Sequence, residues 1–356
     1  MGAYIVVGAQ WGDESKGLIS AYLSARENAV AVYRAGTGAN AEHGLFLSDE
    51  KTYLKVNQLP LGWMLNENCK IRVGSGVAVD PDKLMKELDK YHLHSRIKID
   101  YRCPVITADH IKAEEESKGM ESIGSTRSGT GFCRADFVLR KAHQVREFLP
   151  TAYTFDCGEE INQDAKCDTV IIESSQGTFL SLAVSDDYPN CTSDNVIAPS
   201  AMDDVLLNWK YLKEVVLVVK VLPTREGKGD MGNVSELSIE KIKERGMVEE
   251  SSIGGVVRRK ASGIDFDMLK YAVEINGATQ IALTFCEHYD IGAKNATRTR
   301  DLPLSIFSLM NKIERETNVP VTILNTGKPY WAIIDFNYPD LVNLKSCEEK
   351  LRKFVK

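Results

Sequence analysis

What this sequence lacks narrows its function first. It has no excess of basic residues: 44 Lys and Arg stand against 50 Asp and Glu, a formal charge of −6. Binding a nucleic-acid backbone needs a basic face, so no nucleic-acid partner is expected, although a local pocket for one small anion stays open. No apolar run approaches the ~18 residues of a membrane span. No basic start or cleavage site accompanies the first apolar run, so the expectation is a soluble, cytoplasmic chain with no membrane partner. The cysteines, at 69, 103, 133, 157, 167, 191, 286 and 347, include no C-x-x-C pair and lie mostly among apolar neighbours, as reduced thiols do. There is no internal repeat and no linker-like stretch. Length alone allows about two domains of roughly 150 residues, but with no linker the expectation is a single domain over residues 1–356.

What is present is a series of short, β-branched apolar runs closed by Gly, Asp, Pro or Thr: 4–7, 29–33, 71–73, 97–101, 169–172, 215–221, 280–285, 321–324 and 331–335. Continuous rather than alternating hydrophobicity predicts strands covered on both faces. Helix-period segments lie between them. Asp80-Pro81 opens one carrying Leu84, Leu88 and Tyr91; Phe266, Leu269 and Val273 mark a second; Ile306, Leu309, Met310 and Ile313 mark a third. Alternating strands and helices predict an α/β fold with a large, mostly parallel central sheet and helices on both faces. The polar, glycine-containing segments 36–44, 122–131, 225–233 and 249–263 read as long loops of that one unit, the kind that carry active sites.

The first strand runs directly into Gly8-Ala9-Gln10-Trp11-Gly12-Asp13-Glu14-Ser15-Lys16-Gly17 and then into a helical stretch. A strand, a Gly-rich turn, a lysine and a helix start can cradle phosphate, because helix N-terminal amides attract an anion and the lysine adds a full charge. The strict G-x-x-x-x-G-K-[ST] rule fails, since Ser15 precedes the lysine and Gly17 follows it. On spacing alone, a phosphate loop and a surface turn with a stray lysine are equally open. Asp13 has two readings as well: a metal ligand or proton acceptor among phosphate-binding amides, or a helix N-cap worth about 1 kcal/mol.

Gly8-x-Gln10-Trp11-Gly12-Asp13-Glu14-x-Lys16-Gly17 strongly resembles the signature of adenylosuccinate synthetases, and further matches follow in family order. Asn40-Ala41-Glu42-His43 resembles an Asn-Ala-Gly-His segment. Ile123-Gly124-Ser125-Thr126, with Arg140 beyond it, resembles a nucleotide-phosphate loop. Gln176-Gly177-Thr178, Tyr188-Pro189-x-x-Thr192-Ser193, Arg258-Arg259-Lys260-x-x-Gly263 and Asn325-Thr326-Gly327 resemble further family stretches. The resemblance covers nearly the whole chain and implies a P-loop NTPase-like fold.

Its chemical implication is a carbon–nitrogen ligase. The family phosphorylates the 6-oxo group of a purine nucleotide, turning a poor leaving group into a good one, and the amine of L-aspartate then displaces phosphate. By carry-over, Asp13, His43 and Gln176 are the catalytic group: base, partner acid and positioning amide. Mg²⁺ would be held by Asp13 and the main-chain carbonyl of Glu42. The triphosphate site would comprise Gly12, Asp13, Glu14, Ser15, Lys16, Gly17, Glu42, His43, Gly44, Glu287, Asn325, Thr326 and Gly327. The purine monophosphate would meet Asp13, Asn40, Ala41, Ser125, Thr126, Arg140, Gln176, Thr192 and Arg258. L-Aspartate would meet Gly254, Gly255, Val256, Val257, Arg258 and Lys260. The family uses the arginine matching Arg140 across a homodimer interface. Taken alone, several of these residues have plainer readings: a solvated pair for Arg140 and Lys141, a solvated charge run for Arg258 to Lys260, and solvated histidines at 92, 94, 110, 143 and 288.

Four departures bear on specificity: Ser15 for Gly; Glu42 in the Asn-Ala-Gly-His segment; Val256-Val257 in the aspartate loop; and Leu283-Thr284-Phe285-Cys286-Glu287 where a Lys-Leu-Asp stretch recognises guanine. They favour ATP or dATP over GTP. They are similar to departures in the phage branch that converts dGMP to N6-succino-2-amino-2′-deoxyadenylate, whose best-known members carry serine at the position of Asp13. IMP in AMP biosynthesis is the alternative acceptor. A noncatalytic nucleotide-binding regulator is a further alternative, against which Asp13, His43 and Gln176 all stand.

Overall fold

A computed structural model describes residues 1–244, 247, 257–339 and 344–355. In chain order its first strands are β1 (Gly2–Gly8), β2 (Ala31–Arg34), β3 (His43–Phe46), β4 (Tyr53–Val56), β5 (Lys70–Val73), β6 (Ile97–Asp100) and β7 (Thr154–Phe155). β8 (Thr169–Glu173), β9 (Leu212–Lys220), β10 (Thr224–Arg225), β11 (Arg259–Lys260), β12 (Gln280–Thr284), β13 (Val321–Asn325) and β14 (Ile333–Asp335) follow. Ten of them form one sheet in the order β14-β13-β12-β9-β1-β8-β2-β5-β6-β7. Every neighbour pair is parallel except β13 with β14. The mostly parallel sheet expected from the continuous apolar runs is present, and each of those runs supplies a strand.

Both faces of the sheet are covered. All seven residues of β1 are buried. Ala3, Ile5 and Val7 pack in one core with residues of the helices Cys157–Cys167, Phe266–Asn276 and Leu304–Thr317. Tyr4 and Val6 point the other way, into a second core with Leu18, Ile19 and Leu23 of the helix α1 (Lys16–Arg26) and Leu84, Leu88 and Tyr91 of the helix Pro81–Tyr91. Asp80 caps that last helix, its carboxylate accepting from the Asp82 and Lys83 amides.

The strands that sequence reading omitted are short, and the helices Ala108–Glu116, Thr130–Val138 and Cys157–Cys167 also went unread. β7 has two residues, and β3–β4 and β10–β11 are small antiparallel pairs lying off the main sheet. The residues of the β3–β4 pair alternate between buried and partly or fully exposed rather than forming an apolar run. Among the described residues no helix is long and apolar enough to cross a membrane.

Asp204, ending the helix Ala198–Asp204, is buried and accepts a hydrogen bond from the Gly36 amide at 2.7 Å. Burial pushes its carboxyl from 3.8 up to about 7; Asp194 adds to the rise, while the Gly36 amide and Arg134 oppose it. The folded chain therefore keeps a proton that the unfolded chain releases earlier. The stabilisation is full below about pH 4 and is lost as pH rises through about 7. Asp204→Asn should flatten the fall in Tm over that window, read by thermal denaturation at successive pH values.

Candidate active site

The parallel strands of an α/β sheet bring their carboxyl ends to one edge, where such folds bind ligands. Three of them here end in a charged residue with no exposed surface: Arg34 closes β2, Glu173 closes β8 and Lys220 closes β9. Charges in such positions survive only when paired, and each is paired with, or next to, a motif residue.

The loop from Gly8 to α1 follows β1. Glu14 is fully buried; its Oε1 accepts from the amides of Gln10 (3.1 Å) and Gly12 (2.8 Å), and its Oε2 pairs with Lys16 Nζ at 2.7 Å. A carboxylate of the chain itself thus occupies amides of the loop and holds the lysine. Gly12, Asp13 and Ser15 all have positive φ, of 88°, 62° and 66°. Ser15 is the residue before α1, in a left-handed conformation that favours glycine, which explains why a glycine suits that position. Its hydroxyl makes no capping bond.

Asp13 is not the helix N-cap. Its Oδ2 accepts from Lys220 Nζ at 2.7 Å and from Thr224 Oγ1 at 3.1 Å, and its Oδ1 lies 2.5 Å from Arg258 Nη1. Lys220 Nζ also donates to Thr224 Oγ1 at 2.9 Å and stands 4.3 Å from the centroid of the Phe285 ring. A partly exposed carboxylate is therefore faced by two cations. Both ends of the three-charge run 258–260 turn inward: Arg258 meets Asp13, and Lys260 is buried in the β10–β11 pair rather than solvated.

His43, the first residue of β3, is buried with Nδ1 2.5 Å from Glu173 Oε1. Burial and the Arg34 guanidinium bring its pKa down to about 4, against the opposing pull of Glu173, so the ring is neutral near pH 7. Glycine at 17 allows this approach: a Cβ there would lie 2.9 Å from His43 Cβ. Gln176, three residues beyond β8, donates from Nε2 to Thr37 Oγ1 (2.9 Å) and Asn40 Oδ1 (3.0 Å). Arg34 Nη2 and Asn57 Nδ2 both reach the Ala41 carbonyl at 3.4 Å, and Glu42 pairs with Lys55 at 2.7 Å. The segment Asn40–Gly44 is thus tied to the edge that carries Asp13.

The other motif residues have surroundings of their own. Thr192 Oγ1 is buried without a hydrogen-bond partner among the described residues. Ser125 donates to Glu114 at 2.6 Å, and Thr126 is exposed and reaches Ser128 Oγ at 3.3 Å. The loops 122–131 and 225–233 meet where a Cβ on Gly227 would lie 3.3 Å from the Ile123 carbonyl. Asn325 and Thr326 turn their side chains inward, to Gly327, Ala332 and Ala296, so any ligand would meet their main chain. Glu287 lies on the short helix Cys286–Tyr289. Val257 is half exposed; Gly254, Gly255 and Val256 lie outside the described residues. Arg140 is exposed beside Val138 and Leu139, and its side chain makes no hydrogen bond or ion pair among the described residues.

Sequence reading passed over Arg34, Glu173, Lys220 and His288. A charge set directly after a buried apolar run was available as a signal for the first three. His288, read as a solvated histidine, packs 5.2 Å from the Phe285 ring; burial and Lys260, Lys220 and Lys328 lower its pKa to about 3.

The family model for adenylosuccinate synthetase matches residues 5–154 and 149–294. The adenylosuccinate synthetase of Thermococcus sibiricus is 37% identical over 341 residues, covering 94% of this chain and 98% of that protein. The chain belongs to the adenylosuccinate synthetase family. It is therefore a carbon–nitrogen ligase by family. The Methanocaldococcus jannaschii adenylosuccinate synthetase is 36% identical, covering 93% and 96% of the two chains. Two solved structures share the fold at 20% identity. The fully ligated adenylosuccinate synthetase of Plasmodium falciparum has a TM-score of 0.82, covering 94% of this chain and 99% of that one. The succinoaminodeoxyadenylate synthetase of cyanophage S-2L, bound to dGMP and dATP, has a TM-score of 0.77 and covers 99% of both. Within an adenylosuccinate synthetase fold, Ser15 holds a backbone suited to glycine. Ser15→Gly should raise stability by about 0.5–1 kcal/mol, measured by denaturant unfolding.

Proposed function

We propose that this chain, acting as one domain in the cytoplasm of a cell or infected host, joins L-aspartate to C6 of dGMP. ATP or dATP is the phosphoryl donor, and the product is N6-succino-2-amino-2′-deoxyadenylate, a precursor of 2-aminoadenine in viral DNA. The observation that carries the reaction is the Asp13 carboxylate set between Lys220 and Arg258. Asp13 takes the proton from purine N1, which makes O6 nucleophilic; O6 attacks the γ-phosphorus and the nucleoside diphosphate leaves. The aspartate amine then attacks C6, and phosphate departs carrying the former O6. Lys16, buried on Glu14, is positioned to meet triphosphate charge, and His43 stabilises the migrating phosphoryl group. The amides of Gln176 and Asn40 suit hydrogen bonds to the purine, and the orphaned Thr192 hydroxyl suits its 5′-phosphate. Arg258 and Lys260 supply cations for the carboxylates of L-aspartate.

Asp13 and the Glu42 carbonyl are hard oxygen donors of the class that Mg²⁺ takes; bound there, the ion offsets charge on the triphosphate. The exposed apolar pair Val138 and Leu139 beside Arg140 supports a homodimer in which Arg140 serves the other subunit's nucleotide.

For the acceptor, Glu42 precedes His43 and follows Asn40 by two residues in the sequence, and its carboxylate is partnered by Lys55. An acceptor there suits the 2-amino group of guanine, which hypoxanthine lacks. For the donor, Phe285 replaces the lysine expected beside guanine and carries Lys220 on its face. IMP with GTP is a second reading, favoured by the archaeal adenylosuccinate synthetases at 37% identity and by the presence of Asp13. Steady-state assays should give a higher kcat/KM with dGMP than with IMP, and with ATP or dATP than with GTP; an IMP preference would overturn the acceptor.

Because Lys220 is buried on Asp13, Asp13→Ala would remove a hydrogen-bond acceptor as well as the carboxylate's charge, so Asp13→Asn is the cleaner variant. It keeps a hydrogen-bond acceptor and removes the base. Turnover should fall by about 100- to 10,000-fold, while nucleotide binding, read by calorimetry, persists.

A further inference from the structure

Glu173 has no exposed surface, and groups from four parts of the chain converge on its two oxygens. Oε2 accepts from the Leu61 amide at 2.8 Å and from the Ser20 hydroxyl of α1. Oε1 meets His43 Nδ1 at 2.5 Å and Arg34 Nη1 at 3.2 Å. The carboxylate sits on β8, level with Arg34 of β2 on one side and Val6 of β1 on the other. With one oxygen fixed to α1 and the turn at 61, the other cannot swing away from His43. Burial alone would raise the carboxyl pKa, but His43, Arg34 and Ser20 together outweigh it, so Glu173 stays ionised.

Arg34 is the competing partner for the ring. Its Nη1 lies 2.7 Å from Nδ1 and 3.3 Å from Nε2. A donor lying along one nitrogen's lone pair, in the plane of the ring, cannot be that near the other nitrogen as well. The guanidinium therefore crosses the ring face, and Glu173 is the partner left for Nδ1. A carboxylate on one imidazole nitrogen settles the tautomer and dictates which nitrogen is free to work.

We infer that Glu173 is the positioning residue for His43: its Oε1 accepts the Nδ1 proton and fixes the ring so that Nε2 is the nitrogen turned toward the phosphoryl group, to which it donates once the anion's arrival has drawn a proton from solvent onto it. This rests on the role given to His43 above. Glu173 has no reach to substrate of its own; it acts through the ring. Its hold on Ser20 and Leu61 places the ring relative to the loop that carries Asp13 and Lys16, since α1 begins at Lys16.

Glu173→Gln keeps the shape of the side chain and removes its charge. It should lower kcat about 10- to 100-fold, the usual effect of removing an orienting partner from a working histidine, with KM for both nucleotides near wild type. Glu173→Asp should recover part of the loss. A purely structural role would lower Tm and leave kcat of the folded fraction unchanged; that outcome, or a loss confined to KM, overturns the proposal. Should Glu173→Gln fail to fold, ¹⁵N shifts of the wild-type histidines, with His43 assigned through His43→Asn, still decide it. Protonated Nδ1 is expected, and a bare Nδ1 with the proton on Nε2 overturns it. A wild-type protein without ligase turnover but with protonated Nδ1 would instead remove the role of His43 and leave the Glu173 contact standing.

Discussion

The Asp13 carboxylate and the cations that face it set the terms for the rest of the site. A left-handed turn lifts residue 13 off the end of β1, and Lys220, with no exposed surface, reaches it from the end of the neighbouring strand. An unpaired ammonium in that position would be strongly destabilising, so the carboxylate and the lysine need one another. Arg258, the residue that leads into β11, completes the group. Chemistry that turns a purine lactam into a phosphate ester asks for a basic oxygen close to positive charge, and this arrangement supplies both.

A second buried charge cluster, built on Glu173, frames the opposite side. It links α1, β2, β3 and β8, while Glu14 closes the loop between them by taking two main-chain amides and Lys16. The site is thus held by charges inside the protein rather than by surface pairs, which contribute little and screen easily. Asn325 and Thr326, which the resemblance assigns to the triphosphate site, use their side chains to shape a loop.

Much of the fold was readable beforehand because parallel strands buried on both faces must be largely apolar, and 4–7, 170–172 and 215–219 are wholly so. Asp80 before Pro81 announced its helix by the same directness. The β3–β4 pair escaped because four-residue strands of alternating burial leave no run to see. In the site, Asp13, His43 and Gln176 were legible through motif resemblance. Arg34, Glu173 and Lys220 were not, since one charge after an apolar run looks like a strand terminator until the partner across the sheet is known. His288 was missed for a related reason: the burial that sets its environment comes from Phe285 and three lysines distant in sequence.

The departures from the family cluster where substrate identity would be read: Glu42 beside the purine segment, Phe285 at the donor base, Ser15 in the turn. On the proposed function they alter what is recognised while Asp13, His43 and Gln176 are kept. The central claim is that the 6-oxo oxygen of the purine leaves as part of phosphate. Turnover of dGMP labelled with ¹⁸O at position 6, in the presence of L-aspartate and ATP, tests it directly by mass spectrometry of the phosphate released. The account predicts one ¹⁸O atom in each phosphate formed. Unlabelled phosphate with label still on the nucleotide, or released to water, would contradict it.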